Sequence, residues 1–472
     1  MSKHPEIAGW LDERQERFIT ISDKIWEFAE IALAETKSCA LQSDELEADG
    51  FRIQRNVGGL PTAFVAEWGE GGPVIGFLGE YDALPELSQK SQAAKEFMID
   101  GGAGHGCGHN LLGTASLAAA TALKAWLQET GKPGTVRYYG CPAEETGAGK
   151  VFMARDGAFE GLDAALTWHP GSHTTVMRGS TLAVDHIKFR FFGQTAHAAA
   201  NPHMGRSALD AVELTNIGAN FLREHVIDSA RIHYVITNGG GQPNVVPAEA
   251  EVWYYIRAPR RDLLEPITER VRKIAEGAAL MTETRLEVHD FFGVHNYLPN
   301  RALADTAMTV LDELGPLEFE DDERAYAKQI AEAFPEASRI GSLEAMGLPK
   351  ELVKESLLAD PYQPTDEGKT LSGSTDVSEA SWNAPTMQLW STCFALGVPG
   401  HSWAITATGA MSIGHKGMLH AAKAMAITAA ELVNDPALLA RAKDEFQQAT
   451  DGFEYKAAIP EGATPPQPYI RS

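Results

Sequence analysis

Residues 104–110 read Gly-His-Gly-Cys-Gly-His-Asn, and this stretch limits the folds open to the chain more than any other. His105, Cys107 and His109 stand at alternate positions, separated by glycines whose backbone can turn tightly and approach an ion closely. Three such side chains make a site only if the fold brings further ligands to them. Candidates stand at Pro142-Ala143-Glu144-Glu145-Thr146-Gly147, at Trp168-His169-Pro170 and, far on, at Gly400-His401-Ser402. Thiolate, imidazole and carboxylate together are the ligand set of zinc and similar divalent ions.

The chain around these positions alternates short apolar runs with helical patterns. Residues 74–78 are nearly all apolar and stop at Gly79-Glu80-Tyr81-Asp82, as a buried strand does where its end opens into a cleft. A helix is expected from Asn110, as its cap, to about residue 128. A strand over 135–140 then delivers Cys141 and the Glu144-Glu145 pair, a helix spans 150–159, and a strand over 164–168 delivers His169. Three successive strands thus end in candidate ligands. Active sites of open α/β sheets lie at such strand ends, so the expected fold class is α/β, with a central, mostly parallel sheet.

The pattern changes near residue 181. Strand signals at 182–192, 231–237, 249–256 and 285–292, with helical periodicity at 207–226 and 261–282, give the order βαββαβ. That is a ferredoxin-like α+β unit. The expected organisation is a catalytic domain in two parts, 1–181 and 297–472, interrupted by a lid and dimerisation domain over 182–296. Its edge strands invite pairing with a second copy, which predicts a homodimer. Residues 318–370 are charged and poorly periodic and read as a surface excursion, and the proline-rich tail reads as lying over the surface.

At 472 residues the chain is long enough for two or three domains, and 44% hydrophobic residues suffice for their cores. A net charge of -24 argues against nucleic acid or an anionic membrane as partner. The four cysteines show no disulfide-like spacing. With no apolar leader or membrane-length run, the reading is a cytoplasmic protein.

Within the cluster, adjacent Glu144 and Glu145 face opposite ways in extended chain, so one can bind metal and the other is left to move protons. Asp82 can orient a ligand histidine or cap its turn. His415 and His420 lie on a helical stretch and read as structural. A pair of cations about 3.5 to 4 Å apart would activate water and polarise an amide carbonyl, which an unstrained amide needs for hydrolysis.

Gly-Glu-Tyr-Asp-Ala-Leu-Pro at 79–85, His-Gly-Cys-Gly-His-Asn at 105–110, Pro-Ala-Glu-Glu at 142–145, Gly-Gln-Thr-Ala-His-Ala-Ala at 193–199, Asn-Val-Val-Pro at 244–247 and Pro-Gly-His-Ser at 399–402 together resemble the M20 metallopeptidase and amidohydrolase family. The resemblance spans nearly the whole chain and is strongest to the aminoacylase-like branch, in particular the p-aminobenzoyl-glutamate hydrolase B-subunit type. It implies two divalent metal ions, zinc or manganese, held by Cys107, His109, Glu145, His169 and His401, with Glu144 as general base and His105 a neighbour, not a ligand. It further implies that His197 reaches the site of a partner subunit to stabilise the oxyanion, and that Asn244 and Arg257 hold the substrate carboxylate. Asn110 and Cys141 depart from the branch, which usually has Asp and often has Gln there. The implied substrate is a small N-acyl or N-aroyl amino acid such as p-aminobenzoyl-glutamate. Alternatives are a dipeptidase or deacylase of the same family, or a non-catalytic subunit acting with a related A-type chain.

Overall fold

A computed structural model describes residues 4–147 and 149–466. In chain order the strands are β1 (Arg52–Arg55), β2 (Phe64–Glu70), β3 (Val74–Glu80), β4 (Gly134–Cys141), β5 (Ala164–Gly171) and β6 (Thr175–Val176), then β7 (Ala183–Phe192), β8 (Arg231–Asn238), β9 (Glu249–Ala258) and β10 (Arg285–Val294), and last β11 (Thr386–Thr392). The first six and β11 form one sheet in the order β1-β2-β4-β3-β5-β11-β6. Its four central strands, β4, β3, β5 and β11, run parallel, and the outer strands are antiparallel.

Burial explains this core. Ile75, Phe77 and Leu78 of β3 are fully buried, as strands covered on both faces require. Helices His109–Thr130 and Ser412–Asn434 pack on each other and on the sheet. Their many alanines let them approach closely, and both are apolar nearly all round because both are interior. Parallel pairing sets Glu80 opposite Cys141 at the ends of β3 and β4, and His169 stands near the same end of β5. The apolar runs therefore end along one edge.

Two local expectations are corrected. The helix after the glycine-rich turn is capped by Gly108, at φ +78, and not by Asn110. Asn110 instead lies inside the first turn, where its buried side chain donates to Ser22 Oγ (3.0 Å) and the Gly409 carbonyl (2.9 Å) and ties the N-terminal helices to the core. The helix expected over 150–159 is Gly149–Arg155 and stops before Gly157, whose φ of +76 ends it.

Strands β7 to β10 form a separate antiparallel sheet in the order β10-β7-β9-β8, with helices Ala208–Leu222 and Arg261–Thr282 packed on it. The resulting βαββαβ order is the ferredoxin-like one. This unit has its own core, including Ile187, Phe189, Val212, Val252, Tyr254 and Val271. Strand β8 is an edge, and Tyr234, Val235 and Ile236 on it are exposed. The chain enters and leaves side by side: the Tyr297 amide donates to Thr181 Oγ1 at 3.0 Å, and the Ser180 hydroxyl to the Tyr297 carbonyl at 2.5 Å.

Residues 318–370 are more than a surface excursion. Helices Asp321–Glu332 and Glu336–Ala345 lead into a small core of Leu343, Leu348, Val353, Leu358 and Leu396. The segment then bridges to the main body at Thr174–Pro361 and Ser180–Thr370. Pro335 and Pro349 interrupt its elements, so no long period is visible. The tail packs Tyr455 and Ile459 against the main body, and the Ala458 carbonyl accepts from the Gly293 amide at 2.5 Å. Among the described residues no helix is long and apolar enough to cross a membrane.

Candidate metal centre

Cys107, His109 and His169 each offer one ligand atom within 4.8 Å of the others, and so do Cys107, Glu145 and His401. Cys107 is common to both groups, and together they contain the five candidate ligands. Cys107 Sγ lies 3.3 Å from His169 Nε2, and His401 Nε2 lies 3.4 Å from Glu145 Oε2. A third group, Glu80, His109 and Glu144, adjoins them, with Glu144 Oε2 3.9 Å from His109 Nε2.

Each side chain arrives on an identifiable element. His109 opens the buried helix, and Cys107 stands two residues before it in the glycine turn. Gly108, at φ +78 and with Phe394 2.7 Å from where a Cβ would stand, favours glycine, and a Cβ at Gly106 would press on the tip of Leu87. Glu144 and Glu145 begin a single 3₁₀ turn after β4, preceded by Ala143 in the left-handed region at φ +60. His401 also has left-handed backbone, at φ +51. Strain at such non-glycine positions persists only where surroundings enforce it, and it gathers at functional sites.

Asp82 links the cluster. One of its oxygens accepts from His109 Nδ1 at 2.9 Å, and the other accepts from the Glu145 amide at 2.9 Å. With Nδ1 held by Asp82, Nε2 is the His109 nitrogen aimed at the cluster and the one that a metal would take. His105 points away, bonded through Nε2 to the Ile25 carbonyl at 3.0 Å.

The electrostatics are those of a buried anionic pocket. Burial raises Glu145 to about 7. Burial, then Glu80, pushes Glu144 well above the carboxylate range, and burial also pushes the Cys107 thiol up. Burial alone would lower His109, but Cys107 and Asp82 outweigh it and raise it. Burial lowers His169 to about 4, which keeps it neutral and able to ligate. Among the described residues, His109 Nε2 and Glu145 Oε1 are buried without a hydrogen-bond partner. Such orphans are costly, and a cation at each of the two ligand groups would satisfy them while relieving the carboxylates. The donor set therefore fits divalent metal.

Sequence reasoning missed the supports behind the cluster. Buried Glu35 accepts from the amides of Leu33 and Ala143, at 2.9 Å each, and from Thr62 Oγ1 at 3.0 Å. It thereby holds the left-handed residue immediately before Glu144. Lys150 is fully buried between Glu80 and Asp376, with Nζ 2.6 Å from an oxygen of each. The Ser-Thr-Asp turn at 374–376 was the available signal for Asp376. Nothing local marked Glu35 or Lys150.

A cavity of about 560 Å³ opens from the cluster. Its walls include Trp390, His173, Met346 and Tyr362, the last two from the segment after Glu336, and Arg257 from β9. Arg257 donates to Ser374 Oγ at 2.9 Å. His197 and Asn244 are not in this wall. They stand together on the second sheet's loops, exposed, where the Ala198 amide donates to the Asn244 carbonyl and His197 Nδ1 accepts from the amides of Ala199 and Ala200 at 3.2 Å each.

Residues 76–465 match Peptidase family M20/M25/M40. The chain belongs to that family. It is accordingly a metal-dependent amidohydrolase acting on amide bonds. The sequence is 47% identical to the p-aminobenzoyl-glutamate hydrolase B-subunit of Escherichia coli (strain K12), over 98% of this chain and 99% of that one. It is 30% identical to Xaa-Arg dipeptidase of Mus musculus, over 93% and 91%. In fold it is similar to the aminobenzoyl-glutamate utilization protein of Klebsiella pneumoniae, with a TM-score of 0.62 at 19% identity, covering 92% of this chain and 98% of the other.

Proposed function

We propose that this M20 hydrolase cleaves N-aroyl amino acids, p-aminobenzoyl-glutamate foremost, at a centre of two divalent ions. The observation that carries the reading is the pair of ligand groups sharing Cys107, with Glu144 beside them. Cys107, His109 and His169 would hold one ion, and Cys107, Glu145 and His401 the other. When bound, the ions supply Lewis acidity toward the amide carbonyl and the attacking water. Glu144 accepts the water's proton and returns it to the amine nitrogen as the amide breaks. Arg257, braced by Ser374, binds the substrate carboxylate through its planar fork. The similarity to the Escherichia coli protein supports the aroyl-glutamate substrate. A hydrolysis screen over N-acyl and N-aroyl amino acids, run on zinc-loaded and manganese-loaded protein, tests it. Metal content below about one ion per chain with no amidase activity would favour a non-catalytic subunit that works with an A-type partner.

The shared thiolate has a direct consequence. Cys107→Ser is expected to lose metal from both positions, because a hydroxyl is a far weaker ligand for zinc-like ions. Metal analysis of the dialysed protein reads this out. Full occupancy with full activity would make Cys107 a packing residue.

Exposed His197 and Asn244 lie outside the wall of their own cavity, which supports service to a second chain's site across a dimer of the β7–β10 units. The exposed apolar edge strand β8 supports the same pairing. Mixing inactive His197→Ala and Glu144→Gln chains should restore activity, since one of the two sites in a mixed dimer then has both groups intact. Absence of recovery after verified subunit exchange would sink the shared site.

A further inference from the structure

Arg231 and Arg257 are direct partners across β8 and β9, and His233 faces Tyr255 two residues along. Alternation puts all four on one face of the sheet. Directly opposed like charges, with Cβ atoms about 5 Å apart, destabilise a strand pair unless something neutralises them. Among the described residues neither guanidinium is paired with a carboxylate. Arg257 donates to Ser374 Oγ, and Arg231 Nη1 donates to the carbonyls of Asp228 and Ala230 at 2.7 Å each. This is local, because farther along the same sheet Lys188 and Arg190 are paired with Glu249 and Glu251. A chain of net charge -24 has acids to spare, yet none stands here.

The pair borders a cavity of about 500 Å³ whose lining holds no carboxylate. Arg257, Leu371 and Ser372 line both this cavity and the one at the metal cluster, so the two meet at Arg257. On the same face Tyr255 stacks on His186, its partner on β7, at 3.8 Å between ring centroids, and lies under Arg257 at 5.7 Å, which helps to hold the guanidinium in place. Burial, then Arg257, lowers His233, leaving it a neutral imidazole with an N–H to donate.

We propose that Arg231, with His233 beside it, is a second carboxylate subsite that reads the side-chain carboxylate of an acidic amino-acid leaving group while Arg257 holds its main-chain carboxylate. The assignment rests on the amidohydrolase reading above. Neighbouring positions on one face, with Cβ atoms about 5 Å apart, let two guanidiniums serve two carboxylates joined by three carbons, as in glutamate. A basic leaving residue would meet uncompensated like charge there.

Calorimetric titration of the metal-loaded full chain with free L-glutamate and L-glutamine separates this proposal from the substrate reading. Wild type is expected to bind glutamate more tightly, and Arg231→Met to weaken glutamate binding about tenfold or more, with Arg231→Lys recovering part. In parallel, the preference for p-aminobenzoyl-glutamate over p-aminobenzoyl-glutamine, as a ratio of kcat/KM, should fall by a similar factor through KM. Equal binding of the two amino acids by wild type, or an unchanged affinity and ratio in Arg231→Met, overturns the subsite. Arg231-dependent glutamate binding without turnover of either amide upholds the subsite and refutes the aroyl-glutamate substrate.

Discussion

Glu144→Gln is expected to lower turnover about 10²- to 10⁴-fold while metal content and substrate binding persist. The substitution keeps the side chain's size and removes its capacity to take a proton. Glu144 suits the proton-moving role better than its neighbour does. Glu145 belongs to a ligand group with Cys107 and His401, whereas Glu144 is grouped with Glu80 and His109 and not with Cys107. Burial and Glu80 raise the Glu144 carboxyl well above its ordinary range, and bound cations would draw it back toward neutral pH, where a general base is most effective. Single-turnover rates, metal analysis and binding of a non-hydrolysed amide, measured on one preparation, separate the roles. Loss of metal in place of rate would mean that Glu144 ligates and Glu145 carries the proton.

The parallel sheet was legible because its strands are buried on both faces and so read as apolar runs that stop at Glu80-Tyr81-Asp82, Cys141 and His169. The second sheet was legible through its alternation, visible in β7 and β9. The five candidate ligands stood out because only a few side-chain types bind zinc-like ions, and glycine or proline flanks most of them. Less was visible where function depends on charges that meet only in three dimensions. Lys150 lies 226 residues from Asp376 and resembles any surface lysine until the fold buries it. Glu35 stands just before helix Thr36–Ala48 with nothing local to mark it, and its work on the Ala143 amide needs contact across 108 residues. The 318–370 segment hid its role in the cavity wall because its helices are short and interrupted by proline.

Lys150→Met should cost about 3 to 5 kcal/mol of folding stability, although it nearly keeps the side-chain volume. The Lys150 side chain is fully buried, and so is Asp376, with Glu80 nearly so. Burial disfavours the ammonium, but Asp376 and Glu80 outweigh it and hold the proton firmly on Nζ. Methionine fills the space of the aliphatic stem and leaves two buried carboxylates facing each other without a cation. Removing one partner of a buried ion network costs far more than exchanging the whole network for neutral groups, because the uncompensated charge stays in a medium that solvates it poorly. The triple variant Lys150→Met, Glu80→Gln, Asp376→Asn should therefore recover much of the loss, although Glu80 lies 3.5 Å from His109 and its change reaches the candidate ligands. Denaturant unfolding of metal-free protein keeps metal binding out of the comparison. A loss below about 1 kcal/mol in the single variant would show that water reaches the pair on opening, and that the network serves to place Glu80 and the turn before β11 and not to hold the fold together.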